Sequence, residues 1–138
     1  MQVDDRAILM VDDDLEDRSL LQDTFEQLNL GNRIGFAENG EDAIRYLKNC
    51  EEQQKLPRLI VLDLNMPKLN GRQTLEMIKS TPGWEGITVV IYSTSLNPKE
   101  RDECLAKGAH SFVIKPITYQ QSLDTARLFF DLSQSVFG

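Results

Sequence analysis

Four short stretches carry side chains that could do chemistry together. Asp12, Asp13 and Asp14 follow the apolar run Ile8–Val11, and Asp63 closes the apolar run Leu59–Leu62. Ser93, Thr94 and Ser95 end a third run, and Lys115 stands before Pro116 after a fourth. A carboxylate at the end of a buried run costs several kcal/mol unless its charge is compensated. Clustered carboxylates stay ionised together only around a positive charge. Oxygen ligands with no His or Cys suit a hard cation, and a few carboxylates plus retained waters fit Mg²⁺ better than Ca²⁺. Asp14, with Asp17 three residues on, reads as the cap of a helix, which leaves Asp12 and Asp13 for the metal. A divalent ion beside Asp63, the Lys115 ammonium and the Ser93 hydroxyl are the parts that phosphoryl transfer needs. Asp63 itself is a carboxylate nucleophile able to carry an acyl phosphate.

These residues must converge, so the elements between them matter. Apolar runs at 8–11, 34–37, 59–62, 88–92 and 111–114 predict strands. Amphipathic stretches at 15–28, 41–53, 72–80, 98–107 and 118–136 predict helices, the first with Leu20, Leu21, Thr24, Phe25 and Leu28 on one face. Strict alternation implies an α/β fold, a doubly wound five-stranded parallel sheet with helices on both faces. Working residues of such sheets gather at the carboxyl ends of the strands. Each of the four candidate groups follows a strand.

The 138 residues, 41% hydrophobic, suit a single domain over 1–138, with a tail at 1–6 and a last helix and tail at 118–138. A net charge of −7 argues against nucleic acid as a partner. No apolar run approaches the about 20 residues of a membrane span, and no signal-peptide pattern opens the chain. Cys50 and Cys104 have neither metal-site nor disulfide spacing, which suits reduced thiols in the cytoplasm. The lone His110 follows a helix end at Lys107-Gly108-Ala109 and reads as structural.

The stretches ILMVDDD, LIVLDLNMPKLNG, VVIYSTS and FVIKPI, in this order, resemble a response-regulator receiver domain over about residues 7–131. The resemblance implies a flavodoxin-like (βα)5 fold and a two-component switch phosphorylated by a sensor histidine kinase. It implies Asp63 as phosphoacceptor, and Mg²⁺ held by Asp12, Asp13, Asp63 and the backbone carbonyl of Asn65. Ser93 would be the switch hydroxyl, Lys115 the phosphoryl contact and Phe112 the aromatic switch, with Met66-Pro67 and Gly71 shaping the loop after the nucleophile. The only catalysis implied is of the chain's own phosphorylation and dephosphorylation. The polar connection 49–58 resembles receivers that accompany phytochrome-type or hybrid histidine kinases. Output is expected through a downstream protein target or a phosphotransfer protein.

Two residues depart from the common pattern. Thr94 stands where receivers commonly carry Ala or Gly, and Phe112 lacks the hydroxyl of the commoner tyrosine. Two other readings compete. A haloacid-dehalogenase phosphatase would need a second Asp where Asn65 stands, and a phosphorylation-independent pseudo-receiver would not need the full polar set. The last helix carries two apolar faces. Tyr119, Leu123, Ala126, Phe130 and Phe137 are expected to cover the sheet, and Leu128, Phe129, Leu132 and Val136, with the last strand and fourth helix, to form a homodimer.

Overall fold

The structure is a computed structural model that describes residues 6–66, 69–94 and 96–134. Five parallel strands, β1 Ile8–Val11, β2 Ile34–Ala37, β3 Leu59–Leu62, β4 Thr88–Ser93 and β5 Ser111–Ile114, form one sheet in the order β2-β1-β3-β4-β5. The helices are α1 Leu15–Gln27, α2 Gly40–Glu52, α3 Gly71–Ser80, α4 Pro98–Ala106 and α5 Tyr119–Gln134, and a 3-10 turn at Gly31–Arg33 leads into β2. Every expected strand and helix is present, with described ends shifted by one residue at most, and the expected end of the last helix at 136 lies outside the described residues.

The strands read as unbroken apolar runs because each is covered twice. Leu9, Val11, Ile60, Leu62, Val89 and Ile91 point to the face packed by α2, α3 and Cys104 of α4. Ile8, Met10, Leu59, Val61, Val90 and Tyr92 point to the other, packed by Phe25 of α1 and Phe129 of α5. Alternate side chains leave a strand on opposite sides, so only apolar residues at every position fill both cores. The helix starts are fixed locally, as three of them show. Asp14 caps α1 by accepting from the Glu16 N–H, Asn39 caps α2, and Asn70 with Gln73 forms a capping box on α3.

The last helix departs from expectation. Its buried residues are Ser122, Ala126, Phe129 and Ser133, while Tyr119 is exposed and Leu123 and Phe130 are half-buried. Phe129 belongs to the core, edge-on to Tyr92 at 5.4 Å between ring centroids. The sheet is met by a small-residue stripe with one large ring, because α5 packs closely against α1 and β1 as well as β3. Apolar size alone therefore misplaced the seam by about a sixth of a turn at the helical period. Val136 and Phe137 lie outside the described residues, as do Pro67 and Ser95.

Candidate phosphoryl and metal site

The strand order places a topological switch between β1 and β3, where connections leave in opposite directions and a crevice opens at the carboxyl ends. Val11 and Leu62 are register partners there, and the next residues are Asp12 and Asp63. The Asp63 N–H donates to the Val11 carbonyl at 3.0 Å, and the Asp12 N–H to the Ala37 carbonyl at 3.1 Å. Backbone pairing thus sets the two carboxylates side by side. Asp12, Asp13 and Asp63 each offer a carboxylate oxygen within 4.8 Å of the others, Asp12 and Asp63 buried and Asp13 exposed.

Lys115 reaches this cluster from the far edge. Its N–H donates to the Ser93 carbonyl at 2.6 Å, which extends the β4–β5 pairing by one residue and aims the side chain inward. The ammonium donates to Asp12 Oδ2 at 2.9 Å and to Asp17 Oδ2 at 2.7 Å, and stands 3.9 Å from Asp63 Oδ1. It also lies 5.6 Å above the Tyr92 ring centroid. Asp17 went unrecognised in the sequence, where it passed for part of a cap. Asp14 alone caps through the Glu16 N–H, and Asp17, on the first turn of a helix that starts at the strand-end rim, turns to Lys115 instead. Its position on that first turn was the available signal.

The electrostatics are those of a site short of cations. Burial, and after it the Asp12 charge, push the Asp63 carboxyl up to about 6. Burial also raises Asp12, although its hydrogen bond from Lys115 works the other way. For Lys115, burial works to lower the pKa, but hydrogen bonds to Asp17 and Asp12 win and raise it. One ammonium is shared among three carboxylates, so a divalent cation fits this donor set.

The remaining candidates stand nearby. Ser93 ends β4 and is buried, while Thr94 beside it is exposed. The Asn65 N–H donates toward Asp63 Oδ1 at 3.4 Å. Phe112 is half-buried, pairs with Ile91 and packs against the core on the α2–α3 side. Gly71 is required by close approach: a Cβ there would meet the Asp63 carbonyl oxygen and the Leu64 Cα. Its own N–H bonds the Leu64 carbonyl at 3.1 Å, so α3 begins directly against the loop after Asp63. His110 lies outside the site, its N–H on the Val89 carbonyl and its ring beside the Ser111 hydroxyl.

Residues 8–127 match the response regulator receiver domain family. The chain is a receiver domain. It is a phosphorylation-activated switch of two-component signalling, and the phosphatase and pseudo-receiver readings are not favoured. It is 32% identical over 114 residues to the probable methanogenesis regulatory protein FilR2 of Methanothrix harundinacea, covering 82% of this chain and 74% of that protein. It is 35% identical over 94 residues to the response regulator Rcp1 of Synechocystis sp., covering 67% of this chain and 64% of that one. The crystal structure of the phosphorylated cyanobacterial phytochrome response regulator RcpA superposes with a TM-score of 0.81 at 27% identity, covering 95% of both chains. The Mn²⁺-bound form of Rcp1 follows at 0.78 and 26%, covering 95% of this chain and 97% of that one. Receiver domains also occur within larger enzymes. The match to a protein-glutamate methylesterase of Desulfotalea psychrophila spans 34% of that protein. No described helix is long and apolar enough to cross a membrane.

Proposed function

We propose that this receiver domain takes a phosphoryl group onto Asp63 from a sensor histidine kinase in a Mg²⁺-dependent reaction. The observation that carries the reading is the buried Asp63 within 4.8 Å of Asp12 and Asp13 oxygens and 3.9 Å from the Lys115 ammonium. Asp12, Asp13, Asp63 and the Asn65 backbone carbonyl would hold the ion. When bound, Mg²⁺ supplies positive charge to the transferring phosphoryl oxygens. An Asp63 oxygen attacks phosphorus, the bond to the kinase imidazole breaks, and the imidazole nitrogen leaves with the electron pair. Lys115, already at the rim, contacts a phosphoryl oxygen, and the Ser93 hydroxyl donates to another. Phe112 then packs behind Ser93, carrying the change into the α4–β5–α5 side. Catalysis is confined to the chain's own phosphorylation and dephosphorylation.

The chain acts as one receiver, and residues 1–5 and 135–138, where tails were expected, lie outside the described residues. The likeness to RcpA and Rcp1 supports a phytochrome-type or hybrid kinase as donor. The free thiols Cys50 and Cys104 suit the reducing cytoplasm. Output passes to a protein target, a phosphotransfer protein or a second copy. The second copy would dock on the edge formed by β5 and α5, where Ile114, Ile117, Tyr119 and Leu128 are exposed.

Acetyl phosphate labelling tests the chemistry. Wild type should take up label with Mg²⁺ and lose the reaction with a chelator, while Asp63→Asn takes up none and keeps its circular dichroism spectrum. Label retained on Asp63→Asn would move the phosphoacceptor elsewhere.

A further inference from the structure

Tyr92 is a buried ring that the phosphoryl chemistry leaves unused. It stands just before Ser93 at the end of β4, 4% exposed, as the register partner of Val113. Its strand neighbours on that face, Met10, Val61 and Val90, carry no ring and fill the same core. Apolar packing alone therefore does not require a tyrosine here.

Lys115 follows Val113 by two residues and continues the β4–β5 pairing, so its side chain leaves on the same face of the sheet. The ammonium, on a side chain only 9% exposed, lies 5.6 Å from the Tyr92 ring centroid. That is within reach of a cation–π contact, and removal from water strengthens such contacts. Burial pushes the Tyr92 phenol above its ordinary pKa, although the Lys115 charge works the other way. The ring is therefore neutral, and it meets the ammonium as a π surface rather than as a further anion beside Asp12 and Asp17.

The same ring meets α5. Phe129 stands edge-on to it, fully buried, with ring centroids 5.4 Å apart and ring planes at 78°. Edge-to-face contact favours one mutual orientation of the two rings. Lys115, Tyr92 and Phe129 thus form one chain of contacts from the strand-end rim to the last helix. Phe112 packs against the core on the opposite face of the sheet, so the two aromatic contacts do not share a path.

We propose that Tyr92 is a positioning residue for Lys115 and relays the movement of its ammonium to α5. This relay rests on the reading of Asp63 as phosphoacceptor and Lys115 as its phosphoryl contact. In the resting state the Tyr92 face and the Asp12 and Asp17 carboxylates hold the ammonium between them. When Lys115 turns to a phosphoryl oxygen, the ring loses the charge over its face. Tyr92 then repacks against Phe129, and α5 shifts between two packings of the same core.

Beryllofluoride with Mg²⁺ serves as the phosphoryl mimic, read by the ring resonances of isotope-labelled tyrosine and by the α5 amides. The Tyr92 ring resonances, identified by their absence from Tyr92→Phe, should move when the mimic binds at Asp63. A ring that only fills the core would keep its resonances. Amide shifts induced between Leu123 and Phe130 should fall to about half or less in Tyr92→Leu and return in Tyr92→Phe, which keeps the π face. The ring measurement uses wild type and holds even where Tyr92→Leu fails to fold. A bound mimic with an unmoved Tyr92 ring, or α5 amides that respond as strongly in Tyr92→Leu, would overturn the relay alone. Absent shifts at Asp63 and Asn65 would overturn the phosphoacceptor reading and the relay with it.

Discussion

Asp63 is ionised with difficulty in the metal-free chain, and this has a consequence for stability. Burial and Asp12 raise its carboxyl from 3.8 to about 6. The native state therefore holds this proton more tightly than the unfolded chain does. The resulting stability is fully present below 3.8 and is lost as pH rises through about 6. Asp63→Asn, neutral at every pH, should be more stable than wild type by up to roughly 3 kcal/mol at about pH 8 without metal and converge with it near about pH 4. Urea denaturation at both values checks this, and an equal gain at both would place the origin in packing instead. Asp17 acts on the same balance from the other side. In the proposed reaction Lys115 turns toward a phosphoryl oxygen, and its hydrogen bond to the Asp17 carboxylate at 2.7 Å competes with that contact. Asp17→Asn weakens that competing bond, so labelling by acetyl phosphate should quicken several-fold, up to about tenfold, with beryllofluoride binding tightened in parallel. A slower reaction would make Asp17 a positioning residue that Lys115 cannot do without.

At the scale of elements, α5 shows how two neighbouring rings can differ in worth. Phe129 is fully buried between the sheet and α1, whereas Phe130 is half-buried with the Arg33 guanidinium 5.9 Å over its ring. Phe129→Ala should cost about 3–5 kcal/mol, transfer and cavity together. Phe130→Ala should cost roughly 1 kcal/mol, most of it an exposed cation–π contact and some lost area. Guanidinium titration of the two variants measures both, and a reversed order would mean the helix is rotated from the position described. The same element-level logic holds at α3. Its first residue must be glycine because the loop that follows Asp63 passes in van der Waals contact with it.

Across the whole molecule, β5 is an outer strand and its side of the domain keeps apolar surface. Ile117 is 90% exposed, Ile114 40% and Leu128 43%. Leu128 continues one turn along the side of α5 on which Gln121, Asp124 and Thr125 form a shallow groove with Ile114 and Ile117. An isologous pair would cover this strip without disturbing Phe129. Sedimentation equilibrium at micromolar protein, with and without beryllofluoride, should show a dimer that beryllofluoride strengthens and that Ile117→Asp abolishes without a change in melting temperature. A monomer under every condition would leave output to another protein.

The alternation of strands and helices, and the strand that each reactive residue follows, are legible in the chain alone. Strand runs bounded by Asp12, Asp63, Ser93 and Lys115 are local signals, and a parallel sheet converts them to one rim whatever the details of packing. Caps such as Asp14 were legible for the same reason, since a cap bonds within its own first turn. Features that depend on the approach of distant segments come from packing in three dimensions. Asp17 meets Lys115 across 98 residues of chain, and no spacing within α1 encodes that partner. The seam of α5 is set by how near α1 and the sheet come, which favours Ser122, Ala126 and Ser133 over larger apolar neighbours. The connection 53–58 folds back where Gln54 takes a left-handed φ, and Tyr46 lies over β2 where Gly35 leaves room for its hydroxyl. Those are contacts between elements, and they become visible once the sheet has brought the elements together.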